Sequence, residues 1–123
     1  MAVSAPDFRA GMRQLAAAVN VITTVNDGVR SGMTATAVVS LTADPPHLGI
    51  AVNRSNASFA AITASNIFVV NVLPHDHAYL ASRFAGMDGS RGDDRFSLGR
   101  WGQLATGAPV LLMPEHRATE ATV

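Results

Sequence analysis

The sequence predicts an α+β domain built on a partly closed antiparallel β-barrel with short flanking helices. The chain has 123 residues, of which 48% are hydrophobic, so it can bury one core but is too short for two ordinary domains. Apolar, β-branched runs of strand length alternate with turn signals and with two or three helical segments. With about five plausible strands, the barrel would leave an exposed edge, which natural sheets pair or cover. We therefore expect one domain over residues 1–123, completed by a second chain or incomplete as written.

The first part of the chain predicts a helix followed by a β-hairpin. Ser4-Ala5-Pro6-Asp7 has a capping-box pattern at a helix start. The next apolar residues recur on one face of an amphipathic helix: Phe8, Met12, Leu15, Ala16 and Val19. Residues 21–25 are all β-branched, Asn26-Asp27-Gly28 is a strong turn signal, and strand-like sequence resumes over residues 29–41.

The middle of the chain predicts two more strands and two helices. Asp44-Pro45-Pro46 interrupts the ladder because proline donates no backbone hydrogen bond, and a third strand follows over residues 47–52. N-cap candidates at residues 55–58 open a short helix that ends near residue 64. Residues 67–73 then form a buried strand, and Asp76 opens a helix that runs to about residue 84.

The last third predicts mainly loop structure. Residues 86–102 contain five glycines and three aspartates with little periodicity, which predicts a long surface loop. Residues 109–113 form one more strand, and Pro114 ends it. The last ten residues are polar, and no partner element for them is evident.

Composition excludes several classes of function. The formal net charge is zero and no basic block occurs, so we expect no nucleic-acid partner. No run of about 18 apolar residues and no secretory signal occurs, so we expect no membrane association and a cytoplasmic protein. The absence of cysteine excludes disulfides, thiolate catalysis and Cys-ligated metal sites. Any redox chemistry must therefore come from a bound cofactor.

A strand of small residues is the first candidate site. Gly32-Met33-Thr34-Ala35-Thr36-Ala37 combines small side chains with two hydroxyls. Such a strand lets a flat ligand, for example an aromatic cofactor ring, approach the backbone amides. The alternative explanation is a strand packed tightly against a helix.

The segment before the second predicted helix is a candidate anion site. Asn53-Arg54-Ser55-Asn56-Ala57-Ser58 places a cation, hydroxyls and free amides at a helix N-terminus, where a phosphate binds. The alternative is ordinary N-capping with a solvated Arg54. Arg83 could reach a second phosphate oxygen or favour the C-terminus of its own helix. His75 and His77 lack a third ligand, so no metal site is predicted.

Together these motifs resemble the flavin reductase family. Their order and spacing match the family over residues 7–111, whereas residues 112–123 form a divergent tail. The motifs are Asp7-Phe8-Arg9, Val21-Ile22-Thr23-Thr24, Gly32-Met33-Thr34-Ala35, Ser40-Leu41-Thr42-Ala43-Asp44-Pro45-Pro46, Asn53-Arg54-Ser55, Asn71-Val72-Leu73, Leu80-Ala81-Ser82-Arg83-Phe84-Ala85-Gly86, Asp94-Arg95-Phe96, Trp101 and Gly107-Ala108-Pro109-Val110-Leu111.

The resemblance implies an NAD(P)H-dependent flavin reductase on a homodimeric, FMN-binding split β-barrel. Such an enzyme uses FMN or FAD with NADH or NADPH, and is often the small component of a two-component monooxygenase that hands reduced flavin to a separate oxygenase. By family likeness, the flavin ring would be lined by Gly32, Met33, Thr34 and Ala35. The ribityl and phosphate groups would be held by Asn53, Ser55 and Ser58 with Arg54 beside them, and Arg83 would reach the phosphate. The residues nearer the nicotinamide would be Thr36, Ala37 and Phe84.

The resemblance stops at the C-terminus. The family continues after its Gly-Ala-Pro-Val-Leu strand with several more strands and an aromatic-rich segment near the nicotinamide, which residues 112–123 do not resemble. Two alternatives therefore stand beside the reductase: a flavin-binding protein without reductase activity, and a non-functional truncated fragment. An oxidase related to pyridoxal phosphate is disfavoured, because the chain has no lysine for a substrate phosphate.

Overall fold

The computed structural model describes residues 3–12, 18–113 and 118–123. None of the helices in these ranges is long and apolar enough to span a bilayer. Short 3₁₀ segments occupy His75–His77 and Gly92–Ser97. The remaining elements, in chain order, are α1 (Ala5–Met12), β1 (Asn20–Asn26), β2 (Val29–Ala35), β3 (Val38–Ala43), β4 (Pro46–Ile50), α2 (Ala57–Ser65), β5 (Ile67–Val72), α3 (Ala78–Phe84), β6 (Trp101–Gln103), β7 (Pro109–Leu111) and β8 (Ala118–Thr122).

A four-stranded antiparallel sheet in the order β2-β1-β5-β8 forms the centre of the molecule. The hairpin between β1 and β2 is closed by two residues with positive φ, Asp27 at 51° and Gly28 at 78°. Both central residues of a type I′ turn need positive φ, and this turn matches the twist of the paired strands. The hairpin predicted from Asn26-Asp27-Gly28 is therefore confirmed.

Two smaller antiparallel ribbons, β3–β4 and β6–β7, complete the strands of the described residues. In the first ribbon, β3 ends at Ala43 and β4 begins at Pro46, its partner in the register. Proline is tolerated as the first residue of a strand because its missing N–H then removes no essential ladder bond. The architecture confirms the predicted α+β split barrel with short helices.

Both faces of the central sheet are covered, which explains why β1 and β5 are buried in continuous runs. On one face, Ile22, Phe68 and Val70 pack with Ile62 of α2 and with the inner side of the β3–β4 ribbon. On the other face, Val21 packs with α3, with Phe96 and with Trp101 at the start of β6. Strands buried on both sides carry continuous apolar runs rather than an alternating pattern.

Four predictions about the elements need correction. The strand expected over residues 29–41 is broken at Thr36 and Ala37, and the loop expected over residues 86–102 contains a 3₁₀ segment and the start of β6. The polar tail does have a partner, since β8 pairs with β5 from Ile67↔Thr122 to Asn71↔Ala118. Helix α1 exists, but none of its described residues is buried. Leu15, Ala16 and Pro114 lie outside the described residues.

Candidate functional site

Strand β2 lies at the edge of the central sheet, so one set of its backbone groups is not used by the ladder. The side chains of Met33 and Ala35 point into the core beside Ile22 and Ile62. A ligand at this strand would therefore meet backbone atoms and not these two side chains. The side chains of Met33 and Ala35 contribute packing, and the approach of a flat ring to the backbone of this strand stays a prediction.

Gly32 and Thr34 lie against α3. A Cβ at Gly32 would come within 2.8 Å of Cε1 of Phe84, and the Thr34 hydroxyl donates a hydrogen bond of 2.6 Å to the Ala81 carbonyl. The absence of a side chain at Gly32 thus permits close packing of a strand on a helix, which is the alternative that the sequence left open. Close approach to α3 and access for a ligand at the strand edge are compatible, because they use different sides of the backbone.

The N-terminus of α2 lies next to this strand. Asn56 is the N-cap, and its side chain accepts a hydrogen bond of 2.9 Å from the Ser58 amide. Ser58 is 2% exposed, and its hydroxyl is 3.0 Å from the hydroxyl of Ser31 in β2. Side-chain capping is therefore present at Asn56, as the alternative explanation of this segment expected, and the hydroxyl pair of Ser31 and Ser58 joins α2 to β2.

The turn before α2 is exposed and organised by its own side chains. Asn53 Oδ1 accepts hydrogen bonds from the Ser55 amide at 3.0 Å and from the Ser55 hydroxyl at 2.8 Å. In the described part of the chain, no hydrogen bond or ion pair involves the guanidinium of Arg54. Asn53, Arg54 and Ser55 thus lie on the surface, one turn before the capped end of α2.

A pocket of about 340 Å³ opens between β2, the N-terminus of α2 and the 3₁₀ segment Gly92–Ser97. It brings together Gly32 and Ser58, which the sequence predicted as binding residues, with two arginines that it did not assign to the site. Its lining holds two cationic side chains and no carboxylate, so it fits an anionic group. The lining residues are Ser31, Gly32, Asn56, Ala57, Ser58, Arg91, Gly92 and Arg95.

Arg95 connects three segments at the back of this pocket. Its Nη1 donates to the carbonyls of Gly32 and Phe84, both at 3.0 Å, and its Nε donates to the Ser90 carbonyl at 3.1 Å. Arg95 therefore holds the edge of β2, the end of α3 and the following loop in one arrangement. The Asp94-Arg95-Phe96 motif was the only signal in the sequence for this residue.

Arg83, the arginine expected at the phosphate, instead organises the loop after α3. Its guanidinium donates to the Asp94 carbonyl at 2.6 Å, to the Ser97 hydroxyl at 2.7 Å and to Asp88 Oδ2 at 2.8 Å. Hydrogen bonds from Ser90 and Arg83 hold the pKa of Asp88 well below its usual range. Arg83 does not line the pocket.

A second ion pair ties the same loop to β2. The Arg30 guanidinium lies 2.6 Å from Asp93 and 4.8 Å from the centroid of the Phe96 ring. The hydrogen bond from Arg30 lowers the pKa of Asp93. Both carboxylates of these pairs therefore stay charged at neutral pH and hold the 3₁₀ segment against the pocket.

Phe84, expected near the nicotinamide, is 1% exposed. Its ring packs against Phe96 at a centroid distance of 5.0 Å and against Trp101 at 5.3 Å. A ring enclosed in this way offers no open face to a ligand, and the expectation that Phe84 lies nearer the nicotinamide stays a prediction. Phe84 instead supports the backbone of Gly32 from behind.

Thr36 and Ala37 are exposed at the break between β2 and β3. Thr36 also lines a large open cleft of about 1700 Å³ between the β3–β4 ribbon and the inner face of the sheet. The described residues contain no group of three or more His, Asp or Glu side chains able to hold a metal ion.

The sequence of this chain is similar to curated bacterial FMN reductases. The chain is 46% identical over 105 residues to the FMN reductase (NADH) RutF of Variovorax paradoxus, an alignment that covers 85% of this chain and 57% of that protein. It thus spans a little over half the length of this curated relative, and 59% of the corresponding protein of Bradyrhizobium diazoefficiens.

Solved structures have the same fold. The NADH:FAD oxidoreductase SgcE6 of Streptomyces globisporus superposes with a TM-score of 0.79 at 25% identity, covering 100% of this chain and 74% of that one. Nitrilotriacetate monooxygenase component B from Mycobacterium thermoresistibile superposes with a TM-score of 0.77 at 26% identity, covering 95% and 72%.

A family model described as the flavin reductase like domain matches residues 12–119. The matched range ends two residues into β8. Since it includes most of the chain, this protein belongs to the flavin reductase like domain family.

Proposed function

We propose that this chain is an NAD(P)H-dependent flavin reductase domain that binds FMN, or FAD, and reduces it with NADH or NADPH. The observation that carries the proposal is the cationic pocket beside the edge strand β2. An edge strand next to an anion pocket suits a ligand with a flat ring at one end and a phosphate at the other. The names of the relatives, an FMN reductase (NADH) and an NADH:FAD oxidoreductase, support the same function.

The residues of the chain would hold such a flavin at two places. Along β2, the backbone from Gly32 to Ala35 would border the ring. At the N-terminus of α2, the hydroxyls of Ser55 and Ser58 and the amide of Asn53 would bind the ribityl chain and phosphate, with Arg54 on the exposed side. Arg83 would act on the phosphate only through the loop that it positions.

A bound flavin would supply the redox chemistry by accepting a hydride from the nicotinamide. The protein would need to hold the two rings in contact and needs no acid, base or nucleophile of its own for that step. Thr36 and Ala37, which are exposed beside the large cleft, are the residues that we propose to lie near the nicotinamide. Phe84 would keep the strand in position.

The assembly and partners belong to the same proposal. A homodimer would cover exposed strand edges, and a separate oxygenase component would receive the reduced flavin, as the monooxygenase component among the similar structures suggests. The cytoplasmic location expected from the sequence also stays a prediction.

The test is NADH oxidation by the purified chain with and without added FMN, followed by the loss of nicotinamide absorbance. FMN-dependent turnover is expected for a reductase. Binding of FMN by folded protein without turnover would instead support a flavin-binding protein. A folded chain that neither binds FMN nor turns over would contradict both functions.

A further inference from the structure

The two arginines of the cationic pocket differ in what their side chains already bind. Arg95 donates to the carbonyls of Gly32, Phe84 and Ser90 and is thereby fixed in place. The Arg91 side chain has no hydrogen-bond or ion-pair partner within residues 3–12, 18–113 and 118–123, although it lines the same pocket. Arg91 is therefore the cation in the lining that is free to bind a ligand.

The other polar groups of the pocket are committed to each other. The hydroxyls of Ser31 and Ser58 form a hydrogen bond, and Asn56 Oδ1 accepts from the Ser58 amide. Each serine hydroxyl keeps capacity for further hydrogen bonds, but neither carries charge. Discrimination between a charged and an uncharged ligand must therefore come from the arginines.

The acidic residues next to Arg91 do not neutralise it. Asp93 is paired with Arg30, and Asp88 is paired with Arg83. Asp94 does not line the pocket. The short loop thus places Arg91 in the pocket lining, while the carboxylates of Asp88 and Asp93 are held by Arg83 and Arg30, so the lining carries arginines and no carboxylate.

We propose that Arg91 recognises the terminal phosphate of the flavin, so that the site selects a phosphorylated flavin such as FMN over riboflavin. The inference rests on the proposed flavin binding, since riboflavin and FMN share the ring and the ribityl chain and differ only in the phosphate. A guanidinium binds a phosphate through two parallel, charge-assisted hydrogen bonds, which a neutral hydroxyl cannot replace. Arg95 positions the backbone around the same group.

The experiment measures dissociation constants for FMN and for riboflavin by quenching of flavin fluorescence, using the full chain. For the unaltered protein we expect FMN to bind at least about tenfold more tightly than riboflavin, the effect of one charge-assisted contact at an exposed site. Arg91→Ala should remove this preference by weakening FMN about tenfold while leaving riboflavin unchanged. Arg91→Lys should keep part of the preference because it keeps the charge.

Arg100→Ala is the matched control, because Arg100 is exposed and lies outside the pocket. It should change neither constant. The inference is overturned if Arg91→Ala weakens both flavins equally, if it leaves the FMN constant unchanged, or if the unaltered chain binds the two flavins equally well. In each of these cases flavin binding itself survives. A folded chain that binds neither flavin overturns the proposed function and this inference together.

Discussion

At the scale of single residues, the site depends on the absence of one Cβ atom. A Cβ at Gly32 would lie 2.8 and 2.9 Å from two ring atoms of Phe84, distances that real Cβ contacts essentially never show. Phe84 cannot move aside without disturbing Phe96 and Trp101, because it is buried between them. Gly32 therefore sets the distance between β2 and α3.

Replacement of Gly32 by alanine should destabilise the fold. Forcing extra volume into a packed cluster costs about 1–3 kcal/mol, which chemical denaturation would measure as a lower midpoint. Gly11→Ala is the control, since a Cβ at Gly11 in α1 meets nothing within 4 Å and alanine favours a helix by up to about 1 kcal/mol. Equal stability of the two variants would show that β2 and α3 are not held in close contact.

At the scale of elements, the helices and strands that could be predicted are those whose turns or caps are encoded by neighbouring residues. The β1–β2 hairpin follows from Asp27-Gly28, because the two positive φ angles of the turn are encoded in adjacent residues. The start of α2 could be predicted because Asn56 is an N-cap residue whose side chain bonds an amide of the first helical turn. Arg91 and Arg95 escaped prediction because they line a pocket with β2 and with the N-terminus of α2, segments that are distant from them in the sequence.

The two ends of the described chain show the limits of pattern reading. The apolar face of α1 predicted burial, yet Phe8 is 59% exposed and Met12 47% exposed. The polar tail predicted a free end, yet β8 pairs with β5 because that strand has an edge to fill. In both cases, whether the segment is buried or paired depends on the surface that the rest of the protein offers it. The hydrophobic periodicity of the segment alone carries no information about that surface.

The loop after α3 should lose order in acid. Asp88 accepts hydrogen bonds from Ser90 and Arg83, which lower its pKa in the folded state. A carboxyl with a lowered folded pKa stabilises its contacts fully above its unfolded pKa of about 4, and the stabilisation fades as the pH falls from there toward the folded pKa. Amide protection factors of residues 88–97 should therefore be higher at pH 7 than at about pH 3.

Asp88→Asn tests this cause. It should lower protection of the loop at pH 7 and reduce the acid-induced change, because the charge on the acceptor is gone. Asp94→Asn is the control in the same segment, since no hydrogen bond in the described residues involves the Asp94 carboxylate. Equal protection of Asp88→Asn and the unaltered chain at pH 7 would mean that other contacts, such as Arg30 with Asp93, hold the loop.

At the scale of the whole molecule, the two ends of the described chain contribute unequally to the stability of the fold. Strand β8 completes the central sheet through five residue pairs with β5. Ala121 packs against the core beside Phe68, and Ala118 packs against the cluster that contains Val69. Glu120 Oε1 accepts hydrogen bonds from the amide and hydroxyl of Thr106, which fastens β8 to the turn before β7.

Deletion of residues 118–123 should therefore destabilise the protein substantially. Loss of several ladder hydrogen bonds, at about 0.5–1.5 kcal/mol each, predicts a decrease on the order of 3 kcal/mol in the free energy of unfolding, before any lost packing is counted. A chain of this size should then melt more than about 10 °C lower, which calorimetry or circular dichroism would detect. Deletion of residues 1–12 is the control, because none of the described residues in that range is buried, and it should leave the melting temperature within a few degrees. If the C-terminal deletion melts together with the control, β8 does not contribute to the stability of the sheet, and the free edge of the molecule is at β5.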